Sequence, residues 1–100
     1  MMKQLPLSPE ILRIAERVVW FQSPTDAVSD TTRFLAYAMR YGTSDDWVTL
    51  SRAGIRRDEY REVLDNAPPG IFDRKSWNYW QLRVGRTSPP PLPVRHLGSR

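Results

Sequence analysis

Catalysis needs acids, bases or nucleophiles held at fixed distances, and this chain offers few of them. It has no cysteine and a single histidine, His96. A Ser-His-Asp triad would depend on His96, which lies in a predicted extended tail that cannot hold the geometry a base requires. The adjacent acids Asp45 and Asp46 diverge by about 100° on a helix, so they do not predict a metal site. We therefore predict no catalytic, cofactor-binding or metal-ligating residue, and no enzyme.

Phosphate contact by arginine is a second kind of chemistry, and it is available between residues 44 and 66. Two predicted helices flank residues 53–55 (Ala-Gly-Ile), which is the outline of a helix–turn–helix unit. The candidate DNA-contacting residues are Arg56, Arg57 and Arg61. The second helix also carries acids, which would repel phosphate groups, at Asp58, Glu59, Glu62 and Asp65. DNA binding is therefore the alternative function, not the leading one.

Aromatic side chains are abundant, since 11% of the residues are Phe, Trp or Tyr. Most of these rings are expected in the core, but short helices cannot hide all of them. An exposed set of Trp, Tyr and Arg side chains is typical of a protein-binding hot spot. Trp20 and Tyr79 are the candidates for that role.

The end of the chain carries the net positive charge. Residues 83–100 contain four arginines and no acid, so residues 1–82 sum to zero within the overall charge of +4. Consecutive prolines favour an extended polyproline II segment, and parts of it fit the peptide ligands of WW and SH3 domains. The candidate partner-binding residues are Arg86, Pro90, Pro91, Leu92, Pro93 and Arg95. An equally weighted alternative has the segment lying across the domain's own tryptophans.

Helical periodicity and capping residues predict the elements that would position these side chains. Apolar residues recur at helical spacing over residues 9–21, 31–41, 44–53, 57–66 and 74–84. The expected N-caps are Ser8, Asp30, Ser44 and Asp73, and Gly42 is expected as a left-handed C-cap. Residues 23–28 are expected to add one short turn, and the helix at 31–41 is apolar enough to be central.

These elements predict an all-α fold. We expect a compact bundle of four to five short helices over residues 1–85, followed by an extended Pro/Arg-rich tail over residues 86–100. A hydrophobic content of 40% and a charged content of 26% are typical of a globular chain. No stretch approaches the roughly 18 apolar residues of a membrane span, and prolines interrupt the start as they would not in a signal peptide. A cytoplasmic location is expected, and a homodimer is left open.

Five segments carry a family resemblance: RVVWF at 17–21, RFLAYAMRYGT at 33–43, YREVL at 60–64, APPGIFD at 67–73 and SWNYW at 76–80. Together they resemble a family of small prokaryotic proteins of unknown function, over about Pro9 to Pro93. Members are often encoded beside AbiEii-type nucleotidyltransferase toxins. The resemblance implies an antitoxin-like or accessory protein that binds such a transferase, and it brings no catalytic motif. The leading expectation is a non-catalytic binding protein of a toxin–antitoxin system.

Overall fold

The computed structural model of the protein describes residues 4–88 and 90–92. Within these ranges the chain forms six α-helices and no strand: α1 Pro9–Val18, α2 Pro24–Ser29, α3 Thr31–Tyr41, α4 Ser44–Arg52, α5 Arg57–Asn66 and α6 Arg74–Arg83. The all-α prediction is confirmed. The sixth helix is α2, the segment from which the sequence led us to expect one short turn.

Three of the four predicted N-caps are confirmed. The side chains of Ser8 and Asp30 accept hydrogen bonds from backbone N–H groups three residues ahead, at 3.3 and 3.2 Å. Asp73 does the same for Ser76 at 2.8 Å. The prediction of Ser44 was wrong by one residue, because Thr43 caps α4. Thr43 and Asp46 form a reciprocal capping box, in which each side chain bonds the other's backbone N–H.

The prediction for Gly42 was also wrong. Its backbone is extended, with φ −76° and ψ 172°, whereas positive φ angles occur at Gly54, Gly70 and Gly85. Position 42 needs glycine because a side chain would not fit there. A Cβ atom there would lie 2.4 Å from the Ala38 carbonyl oxygen and 3.2 Å from the Trp47 indole nitrogen. This close approach allows α4 to turn back directly against the end of α3.

Helix α3 is central, as its apolar composition predicted. It contacts α1, α2, α4, α5 and α6, and Phe34 and Leu35 are completely buried. Two indoles close its C-terminal end. The Trp80 N–H donates to the Met39 carbonyl at 2.8 Å, and the Trp47 N–H donates to the Ala38 carbonyl at 2.9 Å. The carbonyls at a helix end need such partners when they are removed from water.

An ion pair between the exposed Arg17 and the buried Asp46 joins α1 to α4. Asp46 is only 5% exposed, and its carboxylate accepts both terminal N–H groups of the Arg17 guanidinium. It also accepts the Thr43 backbone N–H at 2.9 Å. Burial alone would raise the pKa of Asp46, but the hydrogen bonds from Arg17 and Thr43 hold that pKa below its usual value. The spacing of Asp46 indicated a first-turn acid and gave no sign of this long-range partner.

Replacing Asp46 with asparagine removes the buried charge and leaves Arg17 without its partner. We expect the free energy of unfolding to fall by about 1–3 kcal/mol at neutral pH. Because the folded-state pKa lies below the ordinary 3.8, the difference from wild type is present above that pH and is lost as the pH falls through the lower value. Urea unfolding at a series of pH values measures this difference. The exposed neighbour provides the control, Asp45→Asn, and a difference that stays constant in strong acid would contradict the account.

Candidate interaction surfaces

Helix α1 ends earlier than predicted, and this places two aromatic side chains on the surface. The predicted helix ran to residue 21, but α1 ends at Val18, and Trp20 and Phe21 lie in the turn that follows. Trp20 is 63% exposed, Phe21 49% and Tyr41 45%. Large apolar side chains with this exposure and in mutual contact are a feature that needs an explanation.

These rings form one connected arrangement with Tyr37. Ring centroids are 5.4 Å apart for Trp20 and Phe21, 5.7 Å for Trp20 and Tyr41, and 5.5 Å for Phe21 and Tyr37, all edge-to-face. Tyr37 and Tyr41 stack at 6.1 Å. We call Trp20, Phe21, Tyr37 and Tyr41 the ring surface. Each ring contacts two others, so the surface is ordered before any partner binds.

Two arginines flank the ring surface. The Arg33 guanidinium lies 5.5 Å from the Phe21 ring centroid and 5.3 Å from that of Tyr37, and it donates to the Gln22 side chain at 2.9 Å. Arg40 lies 4.6 Å from the Tyr41 ring and 3.4 Å from the Asp73 carboxylate. Each such cation–π contact contributes about 0.5–1 kcal/mol at an exposed site. The arginines are therefore held in fixed positions at the edge of the rings.

The ring surface continues through Arg40 toward Tyr79. Arg40 and Tyr79 line the same shallow pocket, of about 260 Å³. Tyr79 is 48% exposed and contacts Trp47 and Trp80, with its hydroxyl accepting from Arg83 at 2.7 Å.

The predicted partner-binding residues Trp20 and Tyr79 thus belong to different ring clusters, which Arg40 connects. The residues of this region that were not predicted from the sequence are Phe21, Tyr37, Tyr41, Arg33 and Arg40. The i, i+4 spacing of residues 33, 37 and 41 on one face of α3 could have indicated part of this set.

Arg86, the first arginine of the predicted tail, is engaged within the fold. Arg86 donates to both carboxylate oxygens of Asp65, at 2.8 and 3.0 Å, and to the Gln81 side chain at 3.0 Å. The hydrogen bond from Arg86 holds the pKa of Asp65 below its ordinary value. This bidentate contact holds the chain that follows α6 against α5.

The proline segment also contacts the helical domain. The Trp77 indole N–H donates to the Pro90 carbonyl at 2.8 Å. Leu92 lies with Trp77 and Phe72 around a small depression at the Pro68–Pro69 turn. Residues 90–92 thus lie across the domain's own tryptophan, which was one of the two alternatives for this segment. Pro93 and Arg95, the other predicted tail residues, lie outside the described residues, as does His96.

The three candidate DNA-contacting arginines differ in their surroundings. Arg61 is held by the fold, since it donates to the Val84 carbonyl at 2.7 Å and lies 4.0 Å from the Asp58 carboxylate. Arg56 and Arg57 are exposed at the start of α5. Helices α4 and α5 do not pack against each other, whereas the two helices of a helix–turn–helix unit form one packed pair.

A cleft separates α4 from α5 and is closed at one side by α6. It measures about 480 Å³, and its walls include Trp47, Tyr60, Trp80, Arg56, Arg57 and Arg83. Tyr60 is 9% exposed, and its hydroxyl has no hydrogen-bond partner among the described residues. Burial raises the pKa of Tyr60 to about 12, against the opposing charge of Arg83. A buried hydroxyl without a partner costs about 1–3 kcal/mol.

No protein-family model, curated protein or solved structure matches this chain. Two further findings concern residues 4–88 and 90–92. None of their helices combines the length and the apolarity needed to cross a membrane. They also bring together no group of three His, Cys, Asp or Glu side chains that could hold a metal ion.

The contact between Trp77 and Pro90 can be measured with a double-mutant cycle. Trp77→Phe keeps a ring in place and removes the N–H donor, while truncation after Ser88 removes the acceptor. If the hydrogen bond stabilises the fold, the two changes together should cost about 0.5–1.5 kcal/mol less than the sum of their separate costs. Urea unfolding of the four proteins gives the coupling energy. Strictly additive effects would mean that the proline segment does not stabilise the domain through Trp77.

Proposed function

We propose that this chain is a non-catalytic binding protein and that the ring surface is where a protein partner docks. The exposure of Trp20, Phe21 and Tyr41, despite their mutual contacts, is the observation that supports this most directly. Trp, Tyr and Arg are the residue types that dominate binding energy at protein interfaces. Rings that already hold one another lose little conformational entropy on binding, so more of the contact energy goes into affinity.

Charge favours an acidic and apolar face on the partner. Arg33 has no carboxylate within 4.0 Å in the part of the chain that the structure describes, so its charge is available to a partner's acid. A second copy of this chain would be a poorer fit, because a two-fold contact through the ring surface places the same arginines against one another. The sequence resemblance names the first partner to test, an AbiEii-type nucleotidyltransferase, and the chain would then be its antitoxin-like or accessory protein.

The test is a titration of the purified chain against the AbiEii-type nucleotidyltransferase of the same host. We expect a stoichiometric complex that survives nuclease treatment and moderate salt. Trp20→Ala and Tyr41→Ala should each weaken it by about tenfold or more, as hot-spot truncations do. Leu82→Ala is the matched control, because Leu82 is also an exposed apolar side chain, at 56%, and lies outside the ring surface.

Two results would contradict the proposal. Equal affinities of wild type and both ring variants would exclude the ring surface as the docking site. Absence of a complex with the transferase, together with capture of nuclease-sensitive nucleic acid, would favour the alternative of DNA binding. In that case affinity should fall steeply with salt and respond to Arg56→Gln and Arg57→Gln. The separation of α4 from α5 gives that alternative less support than the ring surface gives to protein binding.

A further inference from the structure

The surface beneath residues 90–92 has the composition of a site that binds proline-rich chains. Its walls include Phe72 and Trp77, whose ring centroids lie 5.7 Å apart in an edge-to-face contact, and the Pro68–Pro69 turn. We call these four residues the proline groove. Known domains that recognise polyproline segments use grooves lined by aromatic side chains. A polyproline chain makes no internal hydrogen bonds, so its carbonyls are available to a donor such as the Trp77 indole N–H.

The chain's own segment shows how a ligand fits the proline groove. The Trp77 N–H donates to the Pro90 carbonyl at 2.8 Å, and Leu92 packs beside Phe72 and Trp77. With the segment in place, Trp77 is 3% exposed and Phe72 is 7% exposed. Pro90 and Pro91 themselves remain exposed. The groove therefore contacts one main-chain carbonyl and one apolar side chain two residues further along the segment.

The end of α6 keeps the segment close to the proline groove. Gly85, with φ 94°, donates its N–H to the Leu82 carbonyl, and the Arg86 N–H donates to the Gln81 carbonyl at 2.9 Å. This is the Schellman pattern that commonly ends a helix at a glycine. The Arg86 side chain then holds Asp65 through two hydrogen bonds. These contacts lie outside the groove, so they tether the segment beside it even when the groove is empty.

The contacts in the groove are ones that another chain could make. A carbonyl and an apolar side chain two residues later occur in any proline-rich segment of the Pro-Pro-Leu type, and residues 87–92 contain no charged side chain. A tethered segment competes with a free one at an effective concentration of about a millimolar. A free peptide therefore binds weakly while residues 90–92 keep their contacts, and more tightly once those contacts are weakened.

We propose that the proline groove binds an uncharged proline-rich segment of a partner protein, and that residues 90–92 occupy it as an internal competitor. The partner's segment gives a carbonyl to the Trp77 N–H and places an apolar side chain where Leu92 lies. Residues 90–92 leave the groove when the partner binds, while Arg86 keeps its contact with Asp65. This site is separate from the ring surface and does not depend on the partner proposed there.

A labelled peptide with the sequence of residues 87–93 (TSPPPLP), capped at both ends, tests the proposal by fluorescence anisotropy with the full chain. Leu92→Ser weakens the internal competitor and leaves the groove intact, so this variant should bind the peptide at least about fivefold more tightly than wild type. Adding Trp77→Phe, which keeps a ring and removes the N–H donor, should reduce that affinity by about fivefold. A peptide with serine in place of its leucine should also bind about fivefold more weakly.

Leu82→Ala is the matched control, because Leu82 is an exposed leucine on α6 that does not line the groove, and this variant should bind the peptide as wild type does. If circular dichroism shows that Leu92→Ser unfolds, Leu92→Ala gives the same comparison without adding a hydroxyl. Equal affinities of wild type and a folded Leu92 variant would overturn the internal competitor. Absence of peptide binding to both would overturn the groove.

Two further measurements separate this proposal from its alternatives. Sedimentation of the full chain tests whether a second copy is the occupant. A dimer that Trp77→Phe dissociates would assign the groove to the segment of another copy and overturn the separate partner, whereas a monomer is expected. Trp20→Ala should leave peptide binding unchanged, so failure of the proline groove and failure of the ring surface are distinguishable.

Discussion

The end of α3 is the constraint on which the rest of the structure depends. A helix leaves its last carbonyls without partners inside the helix, and in α3 one of them belongs to Met39, which is buried. Trp80 on α6 donates to the Met39 carbonyl, and Trp47 on α4 adds a second donor to the Ala38 carbonyl, which also accepts the Gly42 backbone N–H. Their edge-to-face contact then fixes α4 and α6 relative to each other. The cleft on one side of the indoles and the pocket leading to Arg40 on the other are consequences of this arrangement.

The opposite faces of α3 have different roles in the structure. One face buries Phe34, Leu35 and Met39 in the core that α3 forms with the neighbouring helices. The other presents Tyr37 and Tyr41 to the turn that follows α1, where they meet Trp20 and Phe21. An early end to α1 is what makes this meeting possible, because a helix continuing to residue 21 would carry those rings away along its axis. The ring surface therefore depends on where α1 ends as much as on the number of aromatic residues.

Local patterns predicted the elements well, and long-range contacts limited the prediction of the sites. Apolar spacing gave the bounds of α3 and α5, because both helices have clear end signals; α5 has a single buried stripe, and α3 is apolar on most sides. The partner of Asp46 is Arg17, which lies 29 residues away, and no spacing rule links them. The prediction of a left-handed cap at Gly42 was wrong, because glycine is required there by the nearby Ala38 carbonyl oxygen and not by a positive φ angle. Trp20 and Tyr79 were identifiable as surface rings by type, but their neighbours follow from how α1, α3 and α6 meet.

The four tryptophans of this chain experience different degrees of contact with solvent. Trp20 is 63% exposed, whereas Trp77 and Trp80 are 3% and 1% exposed and donate to carbonyls. A collisional quencher such as acrylamide therefore reaches the Trp20 indole far more readily than those two. We therefore expect the tryptophan emission of the unlabelled protein to separate into a quenchable component from Trp20 and a shielded component from Trp77 and Trp80. The protein thus carries an intrinsic optical reporter at the place where its exposed rings are concentrated.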